Sequence, residues 1–277
     1  MVMNKGTLYI VATPIGNYED ITLRALNVLK SVDYIACEDT RHTGVLLKHY
    51  EIKKPLFAYH KFNETDKSSY ILELLSEGKS VAIVSDAGSP GISDPSVIAA
   101  RAAREAGYTV TAIPGATAFV TSLMASGLDL SHFAFIGFAP QKDAKRKKFM
   151  QSYKSYAMPL IYYEAPHRLI AFLNTALEVY GDRMIFISRE LTKVFEENLY
   201  MRLSEAIAHF TEIEPRGEFV ITITGIEDDD GEAIDINEAA RALIDEGLSM
   251  KDATNKLKEL GFKKNDAYKA LLEIKED

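Results

Sequence analysis

Three short segments combine glycine, proline and small hydroxyl residues in a way that suits backbone-mediated ligand binding. They are Thr13-Pro14-Ile15-Gly16-Asn17, the eleven residues Ser85-Asp86-Ala87-Gly88-Ser89-Pro90-Gly91-Ile92-Ser93-Asp94-Pro95, and Ile113-Pro114-Gly115-Ala116-Thr117-Ala118. Glycine lets a main chain approach a ligand closely, and proline holds the turn rigid. None of the three contains Lys or Arg, and neither a Walker A pattern nor a GxGxxG fingerprint is present. Phosphate-bearing ligands normally recruit cations or a helix-end nest. This lining, with the acid Asp86, suits instead a ligand made of adenosine, a zwitterionic amino acid and a cationic sulfur. The competing reading is that each segment merely turns a strand into a helix. Three of them together favour a binding site.

The elements that must position these loops alternate through the first half. Strands are expected at Leu8–Ala12, Tyr34–Cys37, Leu56–Tyr59, Ser80–Ser85 and Thr109–Ile113. Helices are expected at Ile21–Lys30, from about Arg41 through Leu46, and at Glu64–Ser76 and Pro95–Ala106. This rhythm predicts a largely parallel sheet with helices on its faces, where ligands bind beyond the carboxyl ends of strands. In the second half, Phe133–Phe138, Leu160–Tyr163, Met184–Ser188 and Phe219–Thr224 read as strands, with helices at Pro166–Val179 and Ser204–Phe210. The spacing does not copy the first half. The expected organisation is an α/β domain over 1–127, a second over 128–226, and an acidic linker with a helical extension over 227–277. That extension, Ala239–Glu246, Met250–Leu260 and Asn265–Ile274, reads either as an RNA-contacting module or as a brace.

Bulk properties narrow the function classes. The 277 residues carry a net charge of −8, which argues against coating nucleic acid by charge alone. Seven of the acids fall between Glu227 and Glu238, so the rest of the chain is near neutral and can hold local basic patches. The lone Cys37 excludes an internal disulfide framework and a Cys-rich zinc site, and its apolar setting reads as a small buried residue. No metal cluster is expected. No apolar run reaches the roughly 18 residues of a membrane span, and a cytoplasmic protein without a signal peptide is expected.

The Ser85–Pro95 loop together with Ile113-Pro114-Gly115-Ala116 resembles the tetrapyrrole-methylase superfamily. Further segments resemble the branch of it that methylates cytidine 2′-O-ribose in small-subunit (16S) ribosomal RNA. These are Thr13–Asn17, Glu38-Asp39-Thr40-Arg41-His42-Thr43-Gly44, His60 with Asn63-Glu64, His167-Arg168, and Arg189-Glu190-Leu191-Thr192-Lys193. The resemblance implies two α/β domains with an S-adenosylmethionine cleft between them, and a homodimer. It implies cofactor contacts at Pro14, Gly16, Asp86, Ala87, Gly88, Ser89, Pro90, Ala116 and Thr117. Asp86 competes as a turn cap.

A ribose hydroxyl must be oriented and relieved of its proton. The candidates are Glu38, Asp39, His42, His60 and Glu190. Asp39 has a competing role as a helix N-cap, His60 as a structural hydrogen-bond partner, and Glu190 as an ion pair with Lys193. For RNA, the run Lys142, Lys145, Arg146, Lys147 and Lys148 competes with an ordinary solvated face, and Arg41, Arg168, Arg189 and Lys193 add to it. The expected partner is small-subunit ribosomal RNA or the assembled subunit, with no membrane. A small-molecule tetrapyrrole-type methyltransferase and a non-catalytic ribosome- or RNA-binding protein are the rival readings.

Overall fold

The computed structural model describes residues 6–226, 236–245, 248–259, 262 and 264–276. Five apolar runs build the first sheet: β1 (Thr7–Val11), β2 (Tyr34–Cys37), β3 (Leu56–Ala58), β4 (Val81–Val84) and β5 (Thr109–Ile113). Their order is β3-β2-β4-β1-β5, and every pairing is parallel. Helices α1 (Leu23–Ser31) and α2 (Thr40–His49) place Ala25, Leu29 and Leu47 against Val11, Ile35 and Val84 on one face. Helices α3 (Glu64–Ser76) and α4 (Val97–Glu105) place Ile71, Leu75, Ala99 and Ala103 against Leu8, Val81 and Ile83 on the other. Covered on both sides, Val-Ala-Ile-Val of β4 is buried throughout, as a parallel strand requires.

Local capping sets where the helices begin. Thr22 Oγ1 accepts the Ala25 amide at 3.0 Å, so α1 opens at Leu23 rather than at the expected Ile21. Asp39 Oδ1 accepts the Arg41 amide at 2.8 Å and caps α2 in the same way. Strands β1 and β4 are neighbours, yet the chain leaves β1 for α1 on one face and β4 for α4 on the opposite face. Their carboxyl ends therefore part, which is the topological switch point where open α/β sheets leave a crevice.

The second sheet comprises β6 (Ala134–Phe138), β7 (Leu160–Glu164), β8 (Met184–Arg189), β9 (Glu197–Arg202) and β10 (Phe219–Ile223), in the order β6-β7-β10-β8-β9. Only β6 and β7 are parallel; the other pairings are antiparallel. Helices α6 (Asp143–Gln151), α7 (Leu169–Tyr180) and α8 (Leu203–Glu212) bury Met150, Phe172, Leu173 and Phe210 on one face. Helix α5 (Ala118–Ser126) lies on the other face, with Leu123 beside Ile161, Leu191 and Val220, and Ser122 Oγ 2.8 Å from Ser188 Oγ.

One element departs from the sequence reading. β9, Glu-Asn-Leu-Tyr-Met-Arg, is an edge strand whose residues alternate between half-buried and exposed, too polar to register as an apolar run. Most of the basic run lies on helix α6, seated by Met150 and Arg146 one turn apart.

Both sheets belong to one compact unit that ends at Gly225. A second unit, from Ile226, holds α9 (Ile236–Asp245), α10 (Met250–Glu259) and α11 (Lys264–Glu276) around a core of Ala240, Leu243, Ala253, Leu257, Ala267 and Leu271. Most of the acidic stretch, residues 227–235, lies outside the described residues. No described helix is long and apolar enough to cross a membrane.

Ile83 is fully buried in β4 beneath α3 and α4. Ile83→Ala should cost about 2–5 kcal/mol, read as a lower urea midpoint at unchanged m-value. A change under 1 kcal/mol would mean that this strand does not anchor the core.

Candidate active site

The three glycine- and proline-rich loops meet at the switch point. The first and second are joined as a two-residue antiparallel bridge: Thr13 N donates to Gly88 O at 2.9 Å, and Gly88 N donates to Thr13 O at 3.1 Å. Thr13 Oγ1 adds a bond to Ser85 O at 3.2 Å. Second and third loops are tied by Ser89 Oγ, which donates to Ala116 O at 3.2 Å or pairs with Thr117 Oγ1 at 2.7 Å. Gly88 has φ +78°, and a Cβ there would come within 3.3 Å of Ile15.

The second sheet closes the other side. Asn17 N donates to Thr192 Oγ1 at 3.1 Å, and a Cβ on Gly16 would lie 2.5 Å from Lys193 Cγ and 2.8 Å from Thr192 Oγ1. Glycine at position 16 is thus what lets the 191–193 segment approach. Between these walls lies a cleft of about 480 Å³, within the usual range for small-molecule sites. Ile15, Asp86, Ala87, Gly88, Ser89, Ile92, Ser93, Asp94, Thr117 and Ala118 line it from the first half. Phe138, Tyr163, Glu164, Ala165, Pro166, Leu191, Lys193, Glu218, Phe219 and Val220 line it from the second. Pro14, Gly16, Pro90 and Ala116 support the lining without being part of it.

Carboxylates dominate the polar part of the cleft. Asp94 is pushed up to about 6, first by burial and then by repulsion from Glu38 and Asp86. Glu38 is raised for the same reasons, burial and then Asp86, with His60 opposing. Asp86 Oδ1 accepts the Asp39 amide at 3.1 Å and stands 3.9 Å from His42 Nδ1. Glu38, Asp39, His42 and His60 therefore form a layer that does not itself line the cleft but reaches it through Asp86 and Asp94.

Within that layer Asp39 is the α2 cap. Its hydrogen bonds from the Arg41 side chain and amide hold it far below the ordinary carboxylate range. His60 N donates to Asn63 Oδ1 at 2.8 Å, while its Nδ1 is buried without a hydrogen-bond partner among the described residues. Cys37 is buried, its thiol pushed up to about 11 chiefly by desolvation, as suits a structural residue. Among the described residues no group of His, Cys, Asp and Glu could hold a metal ion.

Two candidates are committed to other partners. Glu190 shows the competing ion pair: its Oε1 accepts Lys193 Nζ at 2.8 Å and the Glu218 amide at 3.1 Å. Burial would raise its carboxyl, but those two donors overcome that and hold it below its ordinary value. The second concerns Arg146, expected on the basic rim. Its side chain is only 5% exposed and is spent on Asp143 at 2.5 Å, Thr175 Oγ1 at 2.9 Å and Gln141 O at 3.1 Å.

Lys142, Lys145 and Lys148 are exposed on α6, while Lys147 pairs with Glu178. Arg41 is bound to Asp39, Arg168 to Glu164 (3.0 Å) and the Ala139 carbonyl, and Arg189 to Glu197 (3.0 Å). Lys193 lines the cleft with its charge matched by Glu190 and Glu218, which keep it protonated. Asp94, Tyr163 and Phe138 are cleft residues that sequence reasoning did not single out. Asp94 reads in the sequence as turn chemistry before Pro95, and only the folded chain brings Glu38 and Asp86 to bear on it.

A model of the family of tetrapyrrole (corrin/porphyrin) methylases matches residues 7–207. The chain is 41% identical to the ribosomal RNA small subunit methyltransferase I of Synechocystis over 98% of its own length and 99% of the relative's. It is 45% identical to the protein of that name from Thermotoga maritima, over 80% of this chain and the whole of that one. Among solved structures, the uroporphyrin-III C-methyltransferase of Thermus thermophilus aligns with a TM-score of 0.58 at 24% identity, over 82% of this chain and 98% of that one. The methyltransferase CobJ aligns at 0.60 and 19%, over 80% and 95%. The family model over residues 7–207 and relatives 41–45% identical along most of the sequence make this chain a member of the ribosomal RNA small subunit methyltransferase I family within the tetrapyrrole methylases.

Proposed function

We propose that the protein methylates the 2′-hydroxyl of a cytidine ribose in small-subunit (16S) ribosomal RNA, acting as a cytoplasmic homodimer. S-adenosylmethionine is the methyl donor and, when bound, supplies a methyl group on a cationic sulfur. The observation that carries this reading is the lining of the cleft. Backbone and hydroxyls of the three stitched loops, with Ile15 and Leu191 for an apolar ligand face, leave Asp86 and Asp94 as the uncompensated charges. That is the wrong chemistry for phosphates and a fitting one for a sulfonium beside an amino-acid zwitterion.

The ribose hydroxyl is a poor nucleophile, so the protein's own contribution is to orient it and accept its proton. Asp94 is suited to that task because its carboxyl titrates near 6 and lines the cleft. At neutral pH it is mostly ionised, yet more basic than an ordinary aspartate. Burial raises this basicity most, and repulsion from Glu38 and Asp86 adds to it. The exposed Lys142, Lys145 and Lys148 follow β6, whose last residue Phe138 lines the cleft, so phosphates can be held beside the entrance.

The direct test is a map of 2′-O-methyl groups in ribosomal RNA from cells with and without the gene. One cytidine of the small subunit should lose its mark and regain it on complementation; an unchanged map rejects this substrate. The transfer rate should fall as pH drops through about 6, where Asp94 takes up its proton. Asp94→Asn should lower kcat by roughly 10²–10⁴-fold, measured at saturating S-adenosylmethionine. Glu38→Gln should shift the acid limb to lower pH, because one of the repelling charges is gone; an unmoved limb would exclude this coupling.

The same shift has a stability consequence. A carboxyl raised from 3.8 to about 6 in the fold is neutral and costs nothing below about 4, destabilises increasingly between those values, and does so fully above 6. Asp94→Asn should therefore raise the thermal midpoint at pH 7 and 8 but not at pH 4. An equal change at all three would assign the effect to packing. Replacing Lys142, Lys145 and Lys148 together by Glu should weaken RNA binding and flatten its salt dependence, leaving donor affinity intact. RNA binding that stays unchanged would move the phosphate contacts elsewhere.

A further inference from the structure

The end of β6 contains a deliberate irregularity. Ala134 and Phe135 pair with Leu160 and Ile161 of β7, but the next pairs are Gly137 with Tyr162 and Phe138 with Tyr163, so Ile136 is an extra residue. Gly137 takes φ +75°, a conformation that a side chain would strain. Strand side chains alternate, so without the bulge Phe138 would share a face with Ala134 and Ile136, which pack toward the α6–α8 core. The bulge moves it to the face of Phe135 and Tyr163 instead.

There the ring is held but not buried. Phe138 is 53% exposed and lines the cleft. Its centroid lies 5.6 Å from that of Tyr163 in an edge arrangement at 62°. Tyr163 in turn packs edge-on to Phe135 at 5.0 Å, and Phe135 stacks on Phe119 at 4.4 Å. The Tyr163 hydroxyl accepts the Phe119 amide at 3.2 Å, which fixes the series. An aromatic side chain has thus been turned out of an available core into the same cleft as Asp94, with neighbours that hold its orientation and leave half of it open. Burial gives no reason for this placement; a flat partner does.

We propose that Phe138 is the platform on which the base of the target nucleotide stacks, an assignment that rests on the RNA substrate proposed above. A ribose hydroxyl can reach a recessed acceptor only if its nucleotide leaves the helical stack, and the displaced base then needs a π surface to replace its lost neighbours. Phe138 fixes the base while Asp94 addresses the sugar, so the pair sets the direction in which the hydroxyl points. The exposed cations of α6 follow directly in the chain and would hold the flanking phosphates.

The test compares wild type with Phe138→Leu, Phe138→Tyr and Phe138→Trp. Each transfers labelled methyl from S-adenosylmethionine to small-subunit RNA isolated from cells lacking the gene. Stacking of one base on an aromatic ring predicts a roughly ten- to hundredfold loss of kcat/KM for Leu, with most of it in KM. Tyr and Trp should restore activity, and all four proteins should bind the donor equally and melt together. Leu matching wild type, or Tyr and Trp failing as badly as Leu, would overturn the assignment while the substrate reading stands. Wild type that moves no methyl either to this RNA or to assembled small subunits from the same cells would bring down both.

Discussion

One topological constraint organises the molecule: β1 and β4 lie side by side in a parallel sheet but send their chains to opposite faces. Helices α1 and α4 cannot both follow the sheet in the same direction, so the carboxyl ends of these strands must separate. The gap is then bridged by main chain, through the reciprocal bonds of Thr13 and Gly88, rather than filled by side chains. Because both partners are backbone groups, the crevice has a fixed width that does not depend on rotamers. Ser89 extends the same seam to Ala116 and Thr117 at the end of β5.

The second sheet gives that crevice its opposite wall. Its approach depends on Gly16, where any side chain would meet Lys193 and Thr192, and on the Glu190–Lys193–Glu218 arrangement that holds the opposing segment. Folding also sets the electrostatics. Burial raises the Asp94 carboxyl, and repulsion among Glu38, Asp86 and Asp94 adds to it. A cationic ligand would relieve that repulsion, so the site is strained against being empty of positive charge.

Much of this architecture can be read from the sequence. The β-α alternation marks the parallel sheet, and the glycine and proline segments mark the switch-point loops, because those residues are needed wherever backbone must turn sharply and approach closely. Reading fails where tertiary burial decides the role. Arg146 sits in a run of cations and carries nothing to distinguish it, yet the packing of α6 on α7 buries it against Thr175 and leaves its neighbours in water. Glu190 looks like a candidate base until Glu218, 28 residues later, supplies the amide that occupies it. Asp94 looks like a turn residue and Phe138 like the last residue of a strand. The first owes its chemistry to burial and to repulsion from Glu38 and Asp86, the second to a bulge that no apolar pattern announces.

The central claim is that the stitched switch-point loops hold the methyl donor. Amide hydrogen exchange with and without saturating S-adenosylmethionine tests it most directly. The account predicts added protection at residues 86–89, 116–118 and 191–193, with the far edge of the first sheet at β3 unaffected. Saturable binding that leaves those three segments unprotected, or protects a different face of the protein, would contradict it.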